Sequence, residues 1–252
     1  MKALRIFISI LLLTCLLAGC GATVAQEPSQ APTTEPATEL VTEATEPEPT
    51  EPQIMNYKIV REDRSLTASG GGILVSQYYD YVVLQSDSPA AQKVNNALLA
   101  LIEEEMLPQS DLSSYATLAT PGAPFLNTHV STVDYISHQY LCITVSYEWF
   151  MGGVFNNGSS GYMFDLTTGD AVTLRSFAGD DPAAFEKQLK DLVWNQIQPQ
   201  GPWDNAYETL QAYTLDTFDY SIKGGQIILH FPEYEFFPGA AGPVTVETGI
   251  FI

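Results

Sequence analysis

Basic residues are scarce in this chain. Ten Lys and Arg stand against thirty Asp and Glu in 252 residues, a formal charge of −20 with a pI near 4.2. Neutralising phosphates needs clustered Lys and Arg, so a general nucleic-acid binder is excluded. The same shortage argues against docking on anionic lipid through a basic face. Cysteine is also rare. Cys15 and Cys20 fall in the N-terminal segment, which leaves Cys142 alone in the folded part and no internal disulfide to form. The three histidines, His129, His138 and His230, show no His-x-His or His-Glu-x-x-His spacing, and no Cys-x-x-Cys is present, so no metal site is expected. The apolar run Ile6 to Leu17 spans twelve residues, short of the roughly 20 that cross a membrane.

What is present divides the chain into segments. Lys2 and Arg5 precede the apolar run, as in a secretory signal. Leu17-Ala18-Gly19-Cys20 then resembles the bacterial lipobox. That resemblance implies a signal peptide over 1–19, cleavage before Cys20, and acylation of its thiol. A tether follows over 20–53. Its stretch Gly21 to Gln53 holds six Pro, seven Thr and seven Glu, with no basic or aromatic residue. Such a stretch buries too little apolar surface to offset the entropy of ordering. Extended, it reaches on the order of 100 Å. The expected setting is therefore extracytoplasmic, a lipoprotein held to the membrane by its N-terminal lipid.

From Ile54 the composition becomes that of a folded chain, with 23 acids and 8 bases. Gly72 to Gln85 is rich in β-branched and aromatic residues and reads as a strand. Ser88-Pro89 is a helix start, followed by apolar residues at helical spacing to Met106, and Pro108 ends the run. Gln109 to Phe125 reads as a loop. Asn127–His138 and Tyr140–Phe150 read as strands, and Asn156-Asn157-Gly158 as part of a turn. Gly161–Leu166 reads as a strand returning through Thr167-Thr168-Gly169-Asp170 to Ala171–Leu174. Asp181-Pro182 opens a second helix carrying Phe185, Leu189, Leu192, Val193 and Ile197, and a short helix is expected over Tyr207–Tyr213. Asp219–Lys223, Gln226–Phe231 and Val244–Ile250 complete the strands. The expected class is α+β: antiparallel sheets with one main helix per strand-helix-strand group, in two small subdomains, 54–158 and 159–252.

Candidate chemistry is thin. No Gly-x-Ser-x-Gly elbow occurs, and Gly158-Ser159-Ser160-Gly161 reads as a turn. Cys142 lies in an apolar strand and reads as a buried small hydrophobe. Asp165, Thr167, Gly169 and Asp170 lack the late Glu of a calcium loop and read as a hairpin. Glu233 and Glu235 would share a strand face, as a pair of catalytic carboxylates must. Tyr147, Trp149, Phe155, Tyr234, Phe236 and Phe237 fall on expected strand ends and turns, where aromatic rings stack on sugars or anchor a protein partner. They are the candidate ligand contacts; no catalytic residue, metal or cofactor is expected.

Three stretches carry a further resemblance. Tyr147-Glu148-Trp149-Phe150-Met151-Gly152-Gly153 and Gly161-Tyr162-Met163-Phe164-Asp165-Leu166-Thr167-Thr168-Gly169 are similar to the central hairpin of the RsiV-like domain of unknown function. Phe231-Pro232-Glu233-Tyr234-Glu235-Phe236-Phe237-Pro238-Gly239-Ala240-Ala241-Gly242-Pro243 resembles its C-terminal signature. Gly72 to Met106 resembles the smaller domain of PdaC-type peptidoglycan deacetylases. Members often carry a His soon after the double Gly, where Val154, Phe155 and Asn156 stand here. The resemblance implies a non-catalytic envelope module whose partner is lysozyme, another basic wall-directed protein, or peptidoglycan. A structural envelope scaffold is the alternative, and a carboxylate-dependent wall hydrolase a further one.

Overall fold

The computed structural model describes residues 54–119 and 122–252. The signal, Cys20 and the tether lie outside the described residues. Among those described, no helix is long and apolar enough to cross a membrane.

The larger sheet is built from β1 (Tyr57–Asp63), β2 (Leu66–Thr67), β3 (Ile73–Leu84), β4 (Phe125–Ile136), β5 (Tyr140–Phe150) and β6 (Asn156–Asp165). Its order is β1-β3-β4-β5-β6, with β2 beside β3. All pairs are antiparallel but β3–β4, which is parallel. A parallel pair needs a crossover, and α1 (Pro89–Glu105) and α2 (Gln109–Ala116) supply it. Then come α3 (Pro182–Ile197), α4 (Ala206–Gln211) and a smaller antiparallel sheet of β7 (Asp219–Lys223), β8 (Gln226–Phe231) and β9 (Val244–Phe251), in the order β7-β8-β9. The class is α+β, as the patterning implied.

The core has two main parts. Val94, Leu98 and Ile102 of α1 pack on Val82, Leu84, Leu141, Ile143, Val145 and Phe164. Leu189, Val193 and Ile197 of α3 pack on Tyr220, Ile222, Leu229, Phe231 and Val246 of the smaller sheet. Cys142 and Met163 join this second cluster from β5 and β6, and the Ile222 amide donates to Cys142 Sγ at 3.1 Å. The smaller sheet thus lies against the face of the larger one that α1 leaves free. Cys142 is fully buried, and burial pushes its thiol up to about 12.

Both helix starts form as their sequences dictate. Ser88 Oγ accepts from the Ala91 amide at 3.1 Å, and Asp181 Oδ1 accepts from the Ala184 amide at 3.0 Å. Each satisfies a donor that the first turn leaves without an intrahelical partner, and Pro follows at the first helical position. Ser88→Ala and Asp181→Ala are each expected to lower stability by about 1 kcal/mol. A shift in urea midpoint with unchanged m-value is the measurement.

Four local expectations are corrected. Gln109–Ala116 is helical, because Leu112 packs against Val75 and Phe125 and so anchors a turn that its Ser-rich sequence favours only weakly. Asn156-Asn157-Gly158 and Gly158-Ser159-Ser160-Gly161 are not turns: they pair with β5 along their length. Ala171–Leu174 forms one bridge, Phe164–Ala171, rather than a strand. The Tyr220 hydroxyl binds the Val172 carbonyl at 2.7 Å and draws that segment toward β7. Glu233 and Glu235 sit in a turn after β8 and share no strand face. Two strands, β1 and β2, lie outside all of the expected elements; both pair with β3, β1 from Tyr57↔Leu84 to Asp63↔Tyr78.

Candidate functional site

The register of the larger sheet brings chemistry-bearing residues into rows. One row runs Gln77–Asn127–Trp149–Asn156 across β3, β4, β5 and β6; the next runs Tyr79–His129–Tyr147–Gly158. The first row is polar at its inner end. Gln77 is fully buried and Asn127 nearly so. Asn127 Nδ2 donates to Gln77 Oε1 at 2.8 Å and to the Glu105 carbonyl at 3.0 Å. Gln77 exchanges two hydrogen bonds with the Leu107 backbone, 2.9 and 3.0 Å. This clamps the C-terminal end of α1 to the sheet by satisfying backbone groups beyond its last turn. In the second row, Tyr79 stacks on His129 with centroids 4.9 Å apart and planes within 2°. The Tyr147 ring comes next, tilted, at 6.2 Å, and lies over Gly158, where a Cβ would collide with it.

At the outer end, this register delivers the aromatic candidates. Trp149 is 41% exposed and stands opposite Asn156; Phe155, one residue earlier, is 45% exposed. The next amide, that of Asn157, donates to Glu233 Oε1 at 3.1 Å, which ties the segment after β8 to this corner. Tyr234 follows in that segment, 48% exposed. It is the one described non-glycine residue with positive φ, +67°. Such a backbone costs energy and persists only where its surroundings fix it. Here they do: the Tyr234 ring occupies the space where any side chain at Gly239 would begin. Glu233 Oε2 and Asn156 Oδ1 are buried beside these residues with no hydrogen-bond partner.

The structure thus places Tyr147, Trp149 and Phe155 where β5 meets β6, and Tyr234 in the segment that Glu233 ties to the Asn157 amide. It removes Phe236 and Phe237, which are 0% and 6% exposed and belong to the core around α3. Their place in an aromatic run hid this, since neither periodicity nor turn residues separate them from Tyr234. Glu235 is also committed elsewhere, accepting from the Tyr213 hydroxyl at 2.7 Å.

A second polar cluster lies where the sheets meet, and sequence spacing could not reveal it. His230, on β8, is buried. Its Nδ1 is 2.9 Å from Ser159 Oγ and its Nε2 2.9 Å from Ser221 Oγ. A neutral imidazole donates through one nitrogen and accepts through the other, so it satisfies both hydroxyls at once. Burial lowers the His230 pKa to about 4, although the Asp134 charge raises it. Ser159 and His230 have the residue types of a nucleophile and base. Yet both imidazole nitrogens are bound to hydroxyls, and the cluster is interior. Its geometry is that of a structural bridge between the sheets.

Flanking this bridge, two carboxylates cap the outer edge of β6. Glu233 takes the Asn157 amide, and Asp219 Oδ1 takes the Gly161 amide at 2.6 Å. Among the described residues, no group of three or more His, Cys, Asp or Glu is placed to hold a metal ion. Asp165 Oδ1 instead accepts from the amide and hydroxyl of Thr167, 2.7 and 2.6 Å, closing a turn.

Residues 177–247 match the family model described as "Protein of unknown function (DUF3298)". The comparison with curated proteins finds no match. Among solved structures, the chain is similar to a DUF3298 family protein from Pseudomonas aeruginosa PAO1, with 13% identity over 78% of this chain and 91% of that one and a TM-score of 0.51. It also matches a DUF3298 family member from Bacteroides fragilis NCTC 9343, with 14% identity, 77% and 89% coverage, and a TM-score of 0.49. The chain shares its fold with the Pseudomonas protein, and the segment running from before α3 into β9 matches the DUF3298 model.

Proposed function

We propose that the chain is a lipid-anchored, extracytoplasmic, non-catalytic binding module of the bacterial envelope, acylated at Cys20 and raised on its Pro/Thr/Glu tether. It engages a basic wall-directed protein, of which lysozyme is the example implied by the RsiV-like resemblance; the PdaC-like reading of the N-terminal part belongs to the same proposal. The observation that carries it is the pair of exposed aromatics Trp149 and Phe155 where β5 meets β6 of a strongly acidic domain, with exposed Tyr234 in the segment tied to Asn157. Large aromatics at the centre of a patch are the residue types that dominate protein interfaces. A surplus of negative charge steers a basic partner toward them.

The test is calorimetric titration of lysozyme into the full-length chain at low and high salt. Saturable binding that persists at high salt is expected, with Trp149→Ala and Tyr234→Ala each weakening it at least tenfold, the loss of about 1.4 kcal/mol or more seen for interface anchors. Binding that disappears with salt would be unspecific attraction between an acidic and a basic protein. That result, or no binding, overturns the proposal.

A further inference from the structure

A groove lined mostly by the DUF3298-matching segment suits a different kind of ligand. It lies between α3 and α4, encloses about 490 Å³, and is lined by Arg175, Glu186, Lys187, Lys190, Asp191 and Tyr207 among others. That volume falls within the range of small-molecule sites. Three of the eight basic residues of the folded part meet here, and each is already neutralised. Arg175 grips Asp216 through Nε and Nη2, with contacts of 2.6–3.0 Å. Lys187 binds Asp191 at 2.6 Å. Lys190, almost entirely buried, binds Glu186 at 2.8 Å and the Gln211 carbonyl at 3.0 Å. Glu186 also holds the Leu215 amide, at 3.1 Å.

This arrangement selects by charge. An anion gains little from cations whose charge Glu186, Asp191 and Asp216 already offset, and is repelled by those carboxylates. A cation is likewise repelled by Arg175, Lys187 and Lys190. A neutral ligand rich in hydroxyls meets neither repulsion, and each hydroxyl both donates and accepts, so it can bridge the two members of a fixed ion pair. Beside these forks stands Tyr207, 47% exposed. Its ring is held edge-to-face by Trp194, with centroids 4.9 Å apart at 74°. An exposed, immobilised aromatic ring is a surface on which the apolar face of a sugar ring stacks. We infer that the α3–α4 groove binds a neutral oligosaccharide of two or three rings. The inference goes beyond protein docking at the Trp149 corner and does not rest on it.

The test is saturation-transfer NMR on the full-length chain with chitotriose, cellotriose and maltotriose, at low and high salt, with inorganic phosphate as the anionic probe. Saturable binding of at least one sugar is expected, insensitive to salt because the ligand carries no charge. Tyr207→Ala should weaken it about tenfold. The double variant Lys187→Ala/Asp191→Ala removes an exposed ion pair that contributes little to folding; it should weaken sugar binding several-fold while leaving the unfolding midpoint in place. Trp149→Ala should leave sugar binding unchanged, which separates this site from the aromatic corner. Failure of all three sugars to bind overturns the inference. So does salt-sensitive phosphate binding in their place, or sugar binding that survives both groove variants.

Discussion

Gly161→Ala is expected to lower the unfolding free energy by about 4 kcal/mol or more, the upper range for a single overpacking substitution. A Cβ at this position would fall inside the contact radius of the Tyr220 carbonyl and crowd the Ser221 amide. Neither obstacle can rotate away, because both are backbone within β7. The Gly161 amide is held from the same side by Asp219, so the strand cannot slide to relieve the contact without breaking that hydrogen bond. The expected result is separation of the smaller sheet from β6, seen as loss of the cooperative unfolding transition or as exposure of the Cys142 thiol, which the Ile222 amide now covers. Gly72→Ala is the control: nothing lies within 4 Å of its added methyl. A Gly161→Ala variant as stable as that control would remove the close approach of the two sheets as a requirement of the fold.

The second large effect is on pH dependence. Burial holds both His129 and His230 near 4, well below the ordinary histidine value of 6.5. For each, the folded state resists protonation while the unfolded chain accepts it. The unfolded state therefore binds more protons between pH 6.5 and about 4, and stability falls as pH falls through that window. Above 6.5 both rings are neutral in both states and the contribution is complete. Each ring contributes at most about 3.4 kcal/mol over the window. Together they give a slope approaching about 2.7 kcal/mol per pH unit near pH 5. Urea titrations from about pH 7.5 to about pH 4.5 measure this directly. Replacing His230 with Gln, which cannot titrate, should remove about half the slope even if it lowers stability at neutral pH. A slope unchanged in both His129→Gln and His230→Gln would place the acid sensitivity elsewhere. Asp63, Asp165, Asp170, Glu186 and Asp216 are lowered by their own hydrogen bonds. Their stabilisation is lost as pH falls through the ordinary carboxylate range and below it, so it overlaps the histidine window only at its acid end.

Features encoded within a few residues were legible from sequence. Ser88-Pro89 and Asp181-Pro182 cap their helices by bonds three residues away. Features defined by distant partners were not. Gly158 and Gly161 read as turn residues, but their lack of side chains serves Tyr147 and the Tyr220 carbonyl. Gln77 and Asn127 sit in phase with apolar neighbours on their strands, a signal of buried polar residues; what they hold, the end of α1, cannot be read from either strand alone. The candidate site divides the same way. Trp149 and Phe155 flank one hairpin and are visible together. The segment of Tyr234 is tied to theirs by the bond from Asn157 to Glu233, 76 positions apart, while Phe236 and Phe237, two and three residues further on, turn inward.

The capped edge of β6 has a consequence for how copies of this protein coexist. A bare outer strand is a template on which the same strand of a neighbour can grow, and at high surface density that reaction is difficult to avoid. Here the outward amides of Asn157 and Gly161 already end on carboxylates of the same molecule. A neighbour approaching along this side meets negative charge instead of open hydrogen-bond donors. The chain can therefore be packed closely without its longest antiparallel run propagating from one copy to the next along β6.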